Sequence, residues 1–141
     1  MSPIFQPIVA LVGWSLIMLI WMTIVRLEAM KAVNNPGLTR KRGTRGAELE
    51  EVLPPKAQWP SHNYNHLMEQ PTLFYAVSVV LALSAGGTGV DLYLAWGYVV
   101  VRVIHSLVQA TVNIVQVRFP LFGLASILLM AMTARAALLV F

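Results

Sequence analysis

Two histidines, two asparagines, a glutamate and a glutamine crowd one short run: His62, Asn63, Asn65, His66, Glu69 and Gln70. If this run is helical, His62, His66 and Glu69 fall at i, i+4 and i+7, on one face. A second polar set follows: Arg102, His105, Ser106, Gln109, Asn113 and Gln116. Their offsets from Arg102 put all six on one helical stripe, with Val, Ile, Leu and Ala opposite. Arg26 and Arg118 add two cations. Arginine grips carboxylates through parallel N–H donors, so this chemistry suits a small anionic ligand carrying carboxylates and amides. His62, His66 and Glu69 also form a weak metal set, but no zinc motif accompanies them and no metal is expected.

Composition dictates the elements that must hold these groups. The chain is 57% hydrophobic and 11% charged, with a mean hydropathy of +0.69. Soluble domains carry about 25% charged residues, so a polytopic membrane protein is expected, as one domain over residues 1–141. Without Cys, neither a disulfide nor a thiolate metal site is possible. The net charge of +4 comes largely from a clump at Arg40, Lys41, Arg42, Arg45 and Lys56. Beside membrane spans such a clump orients the chain, and no nucleic-acid partner is expected. The first apolar run lacks the basic start and small-residue cleavage site of a secretory signal, so it should be retained.

The spacing predicts an all-α, integral membrane four-helix bundle with spans at about 4–33, 61–86, 91–117 and 119–141. A span needs about 20 apolar residues, and residues 4–25 supply the first. Arg26 at its edge either snorkels or lines a pocket. Asn34-Asn35-Pro36-Gly37 should end that helix. The loop 34–60 is expected in the cytoplasm, kept irregular by Pro54, Pro55 and Pro60. Ser61 should cap the second helix and Pro71 should kink it. Asp91 should cap the third, after a Gly-rich outer turn. Arg118-Phe119-Pro120 should mark the turn into the fourth helix. There Gly123, Ala125 and Ser126 suit close packing, and Arg135 should snorkel outward. Both termini are expected outside, and a bacterial inner membrane is the expected location.

Arg102 carries the most weight. A charge at membrane depth costs at least about 2.5–3.5 kcal/mol, so it should face the interior beside a partner. Glu69 is the acidic residue within a predicted span that could serve, and an Arg102–Glu69 pair is expected. Such a pair suits a ligand site or structural glue between helices.

The order Glu69, Pro71, Leu73-Phe74-Tyr75, then Arg102-Val103-Ile104-His105, resembles the MAPEG family, membrane-associated proteins in eicosanoid and glutathione metabolism, in a bacterial-type member. The spacing from His105 to Arg118 is similar to that family's, as is Arg26 followed by Asn35-Pro36. The resemblance covers about residues 5–141. It implies a homotrimer, with glutathione as co-substrate bound between subunits near the cytosolic side. Arg26, His62, Asn65, His66, Glu69, Arg102, His105 and Gln109 would bind it, Glu69 taking the γ-glutamyl ammonium. Arg118 would be catalytic and hold the thiol as thiolate; a nearby cation lowers a thiol pKa from about 8.5 towards neutral. The pattern departs at His66, where the family usually has Asn, and at Gln109 and Phe122, where Tyr is common.

Two functions follow. One is a glutathione-dependent transferase or peroxidase acting on small apolar electrophiles or lipid hydroperoxides. The other, motivated by the departures, is a non-catalytic protein of the same fold with a structural or lipid-binding role. Copies of itself, membrane lipid and a small apolar substrate are the expected partners. A transporter is disfavoured, because no inverted repeat is visible.

Overall fold

The computed structural model describes residues 1–34, 43 and 45–141. Among the described residues it is all-helical: α1 (Phe5–Val33), a 3-10 helix (Gly46–Glu51), α2 (Pro55–Leu67), α3 (Gln70–Leu83), α4 (Val90–Thr111) and α5 (Val115–Val140). Helices α1, α4 and α5 are long and apolar enough to cross a membrane. Helix α1 is apolar on nearly every side, as a helix facing lipid must be. Its buried stripe is Pro7, Leu11, Ser15 and Met18. It ends where expected, at Asn34, whose left-handed φ of 45° lets its N–H return to the Lys31 carbonyl at 3.2 Å. The remaining breaker residues, Asn35, Pro36 and Gly37, and the basic Arg40, Lys41 and Arg42 lie outside the described residues.

The second apolar region departs most from its expected form. Its helix starts at Pro55, not Ser61, because proline at the first helical position sacrifices an N–H that has no partner anyway. Residues 54–60 are therefore ordered helix start rather than irregular loop. The expected kink at Pro71 is a full break. Helix α2 closes at Leu67, and Glu69 takes φ −90° and ψ −98° before α3 begins. Pro71 thus sits in the first turn of α3, again where a missing N–H costs little. The break carries Glu69 off the face shared by His62 and His66.

Helices α4 and α5 also divide earlier than expected. Asn113 adopts φ 56° and donates its N–H to the Val108 carbonyl at 2.7 Å, which stops α4. Arg118 therefore lies in the first turns of α5 rather than in a connecting turn, and Pro120 lies inside that helix. Asp91 does not cap α4, since Gly89 holds that position with φ 53°. The Asp91 carboxylate instead accepts the Gly87 N–H at 3.1 Å and pairs with Arg135 of α5. Arg135 thus stays half-exposed and gains a buried partner that the expected snorkelling did not include.

Side-chain bonds show how the helices run. Ser2 reaches the Gly87 carbonyl, and Arg26 reaches Ser61, so α1 runs against α2 and α3. Gln70 bonds Tyr98 of α4 and Ser126 of α5. Arg135 pairs with Asp91, so α5 runs against α4. The core between them holds Leu11, Met18, Phe74, Leu81, Tyr98, Ala125 and Met132. Phe74 and Tyr98 stack with centroids 4.5 Å apart, and such a contact adds about 0.5–1.5 kcal/mol beyond its buried area. Ala125 is buried as close packing requires, whereas Gly123 faces open space. One end of the molecule gathers Ser2, the 86–91 turn and Arg135. The other gathers Arg26, the 3-10 helix, α2 and the turn between α4 and α5.

Candidate functional site

The polar stripe of α4 enters the interior as its period requires. Arg102 is 0% exposed, His105 and Gln109 are buried, and Ser106 is buried with them. Asn113 is half-buried beyond the end of α4, and Gln116 is exposed on α5. Ser106 accepts two donors, Trp14 Nε1 at 3.0 Å and Asn63 Nδ2 at 2.7 Å, which join α1, α2 and α4 in one network.

Arg102 takes a different partner from the expected one. Its Nη2 lies 3.1 Å from His66 Nδ1 and donates to the His66 carbonyl at 3.0 Å. No ion pair joins it to Glu69, which is exposed at the α2–α3 break. The reason is geometric. Closing α2 at Leu67 leaves the His66 carbonyl with only a long 3.4 Å bond from the Glu69 N–H, and a guanidinium is a ready further donor. His66 then stacks on His105, with centroids 5.0 Å apart and planes 21° from parallel. Phe122 tilts against His66 at 5.4 Å.

His66, His105, Val115, Arg118, Phe119 and Phe122 border a cavity of about 180 Å³. His105 and Arg118, which border it, and Arg102, Gln109 and Asn113, which do not, all carry unmet polar atoms. Arg102 Nε and Nη1, His105 Nδ1, Gln109 Oε1, Asn113 Oδ1 and Arg118 Nε are buried atoms with no hydrogen-bond partner. Native interiors leave few such atoms, and each calls for an explanation.

A second cavity of about 180 Å³ lies at the same end, bordered by Met22, Arg26, Gly46, Ala47, Glu50, Ser61, Tyr64 and Asn65. Arg26 Nη2 donates to Ser61 Oγ at 2.8 Å. The 3-10 helix covers it so closely that a Cβ on Gly46 would stand 3.2 Å from Arg26 Nη1. Buried Leu49 and Leu53, and a 3.0 Å bond from Gln58 to the Leu49 carbonyl, hold that segment down. His62 is turned to Glu50 at 3.0 Å.

The anticipated residues are thus divided. His66, His105 and Arg118 meet at the first cavity, with Arg102 bonded to His66 behind it and Gln109 buried on the same stripe as Arg102. Arg26 and Asn65 meet at the second, and His62 stands near it through Glu50. Glu69 joins neither. Among the described residues, no three His, Asp or Glu side chains converge as a metal set. Sequence reading missed Glu50, Ser61 and Tyr64 as neighbours of Arg26. Ser61 and Tyr64 could have been found, being one helical turn apart on α2. Glu50 carried no signal, lying twelve residues from His62 across a loop. The 3-10 helix over Arg26 also favours the pocket reading of that residue over snorkelling.

A family model described as the MAPEG family matches residues 4–138. A search of the curated proteins and a search of the solved structures give no match.

Proposed function

The chain belongs to the MAPEG family, and on that premise we propose that it is a glutathione-dependent membrane transferase or peroxidase acting on apolar electrophiles or lipid hydroperoxides. The observation that carries this reading is the set of orphaned polar atoms on His105 and Arg118, which border the cavity, and on Arg102, Gln109 and Asn113, which do not. Arg118 offers an unmet donor at the cavity, and Arg102, Gln109 and Asn113, which do not border it, carry unmet atoms of their own. A zwitterionic tripeptide with carboxylates, amides and an ammonium has the complementary groups. Arg118 is the catalytic cation: set beside the thiol, it favours the thiolate, which is the nucleophile.

The protein acts in this reading as a homotrimer of four-span subunits in a single domain. Helix α3 has 14 residues, about 21 Å of length, against a hydrocarbon core of about 30 Å. The last turns of α2 complete the second span. The two cavities lie at the same end but apart within one chain. A neighbouring copy would bring the Arg26 face of one subunit towards the Arg118 face of the next, with Glu69 free at the seam. In this reading the segment 34–60 faces the cytoplasm and both termini face outward, as the basic clump directs, and the membrane is a bacterial inner membrane.

The test pairs binding with turnover. Glutathione at 100 times its dissociation constant should stabilise the purified protein by about 2.7 kcal/mol. Turnover of a chlorinated aromatic or a lipid hydroperoxide should fall about 100- to 1,000-fold in Arg118→Ala, as for loss of one electrostatic stabiliser. Unchanged turnover in that variant removes Arg118 from the mechanism. No thermal shift in the wild type favours the structural or lipid-binding reading instead, which the His66 and Phe122 rings packed at the cavity wall support.

A further inference from the structure

Arg102 is the largest fully buried side chain, yet it does not border the cavity. Its hydrogen bonds reach the cavity wall through His66. A guanidinium only donates, so His66 Nδ1, 3.1 Å from Arg102 Nη2, must accept. An imidazole that accepts at Nδ1 is neutral and carries its proton on Nε2. The same Nη2 holds the His66 carbonyl at 3.0 Å, which fixes the ring's base as well as its edge. The His105 ring stacked on it and the tilted Phe122 ring, themselves 6.4 Å apart, crowd its rotation. His66 is therefore left with one donor, Nε2–H, and borders the cavity together with Arg118.

We propose that Arg102 is a positioning residue that locks His66 with its Nε2–H turned to the cavity, where it donates to the thiolate sulfur of glutathione alongside Arg118. The inference rests on the glutathione reading above and assigns the sulfur a second donor. A neutral N–H is well suited to that position. It stabilises the anion without adding a cation that would compete with Arg118 for counter-charge, and its direction is set before the ligand arrives. Arg102 matters through geometry: a Lys at this position, with a single ammonium on a flexible stem, does not hold both His66 atoms at once.

The experiment compares wild type, His66→Asn, His66→Gln and Arg102→Lys. Glutathione binding is followed by equilibrium dialysis, and the bound thiolate by its ultraviolet absorbance at fixed pH. Asn can replace Nδ1 as the acceptor for Arg102 but does not reach the cavity. Gln is longer and can carry an N–H to the place of Nε2. His66→Asn is expected to fold and to bind glutathione, with the ratio of thiolate to thiol lowered about tenfold, the effect of one charge-assisted hydrogen bond. His66→Gln should recover most of that loss. Arg102→Lys should resemble His66→Asn; if it does not fold, the two His66 variants decide alone. A purely structural role predicts the opposite order, since Asn preserves the bond to Arg102. A thiolate ratio unchanged in His66→Asn, or no better in His66→Gln than in His66→Asn, overturns the inference while the proposed function stands. Absence of glutathione binding by the wild type overturns the proposed function and this inference with it.

Discussion

The two ends of the molecule handle charge in opposite ways. At one end, Asp91 is 1% exposed and both its oxygens are used, one by the Gly87 N–H and one by Arg135. Ser2 completes the knot by donating to the Gly87 carbonyl. At the other end, Arg102 is as deeply buried but leaves two of its nitrogens without partners, and Gln109, Asn113 and Arg118 leave one atom each. A buried polar group that is paired holds a fold together, while one left unpaired costs stability unless something else satisfies it. The first end therefore reads as a clasp and the second as a receptor. The contrast also shows why burial of a charge is not by itself a sign of function: Asp91 and Arg102 are equally hidden and differ only in what they lack.

Substitutions at the clasp should cost the most. Gly87 has φ 82°, and a Cβ there would meet the Leu81 carbonyl at 3.3 Å. Gly87→Ala should destabilise the purified protein by about 1–3 kcal/mol through backbone strain, read as a lower melting temperature in detergent. Asp91→Ala should also lower the melting temperature, while Asp91→Asn, which can still accept from Gly87, should lower it less. A clasp that tolerates both would erase the distinction between the ends. At the receptor end the sign should reverse. Gln109 Oε1 has no partner, so Gln109→Leu should leave stability unchanged or raise it by up to about 1 kcal/mol, while weakening the thermal response to glutathione. A large loss of stability in that variant would mean that Gln109 already belongs to the fold. The smallest effect is expected at His62, half-exposed and turned to Glu50. His62→Gln should change stability by about 0–1 kcal/mol, measured by the same melting assay.

Much of this was legible beforehand, for reasons that can be located in particular residues. Helical period alone aligned Arg102, His105, Ser106 and Gln109, because all four lie within α4 and no break intervenes. Asn34 announced the end of α1 because a residue that tolerates φ above zero is needed there. Asn113 carries the same signal, and Pro120, whose position is inside α5, shows that a proline near a helix start does not mark the start itself. Pro71 misled in a related way. It was read as a kink within one helix, and the chain uses it to open a new one.

From sequence alone came the apolar spans, the polar stripe and the family pattern running through Glu69, Arg102 and His105, since each depends on spacing along the chain. Which partner Arg102 holds was decided only in three dimensions. One turn of broken backbone at residues 68 and 69 moves Glu69 away and presents the end of α2, with His66 on it, to the guanidinium. The pairing of Asp91 with Arg135 has the same origin, because the relative rotation of two packed helices is set by all their contacts together and by no single residue spacing.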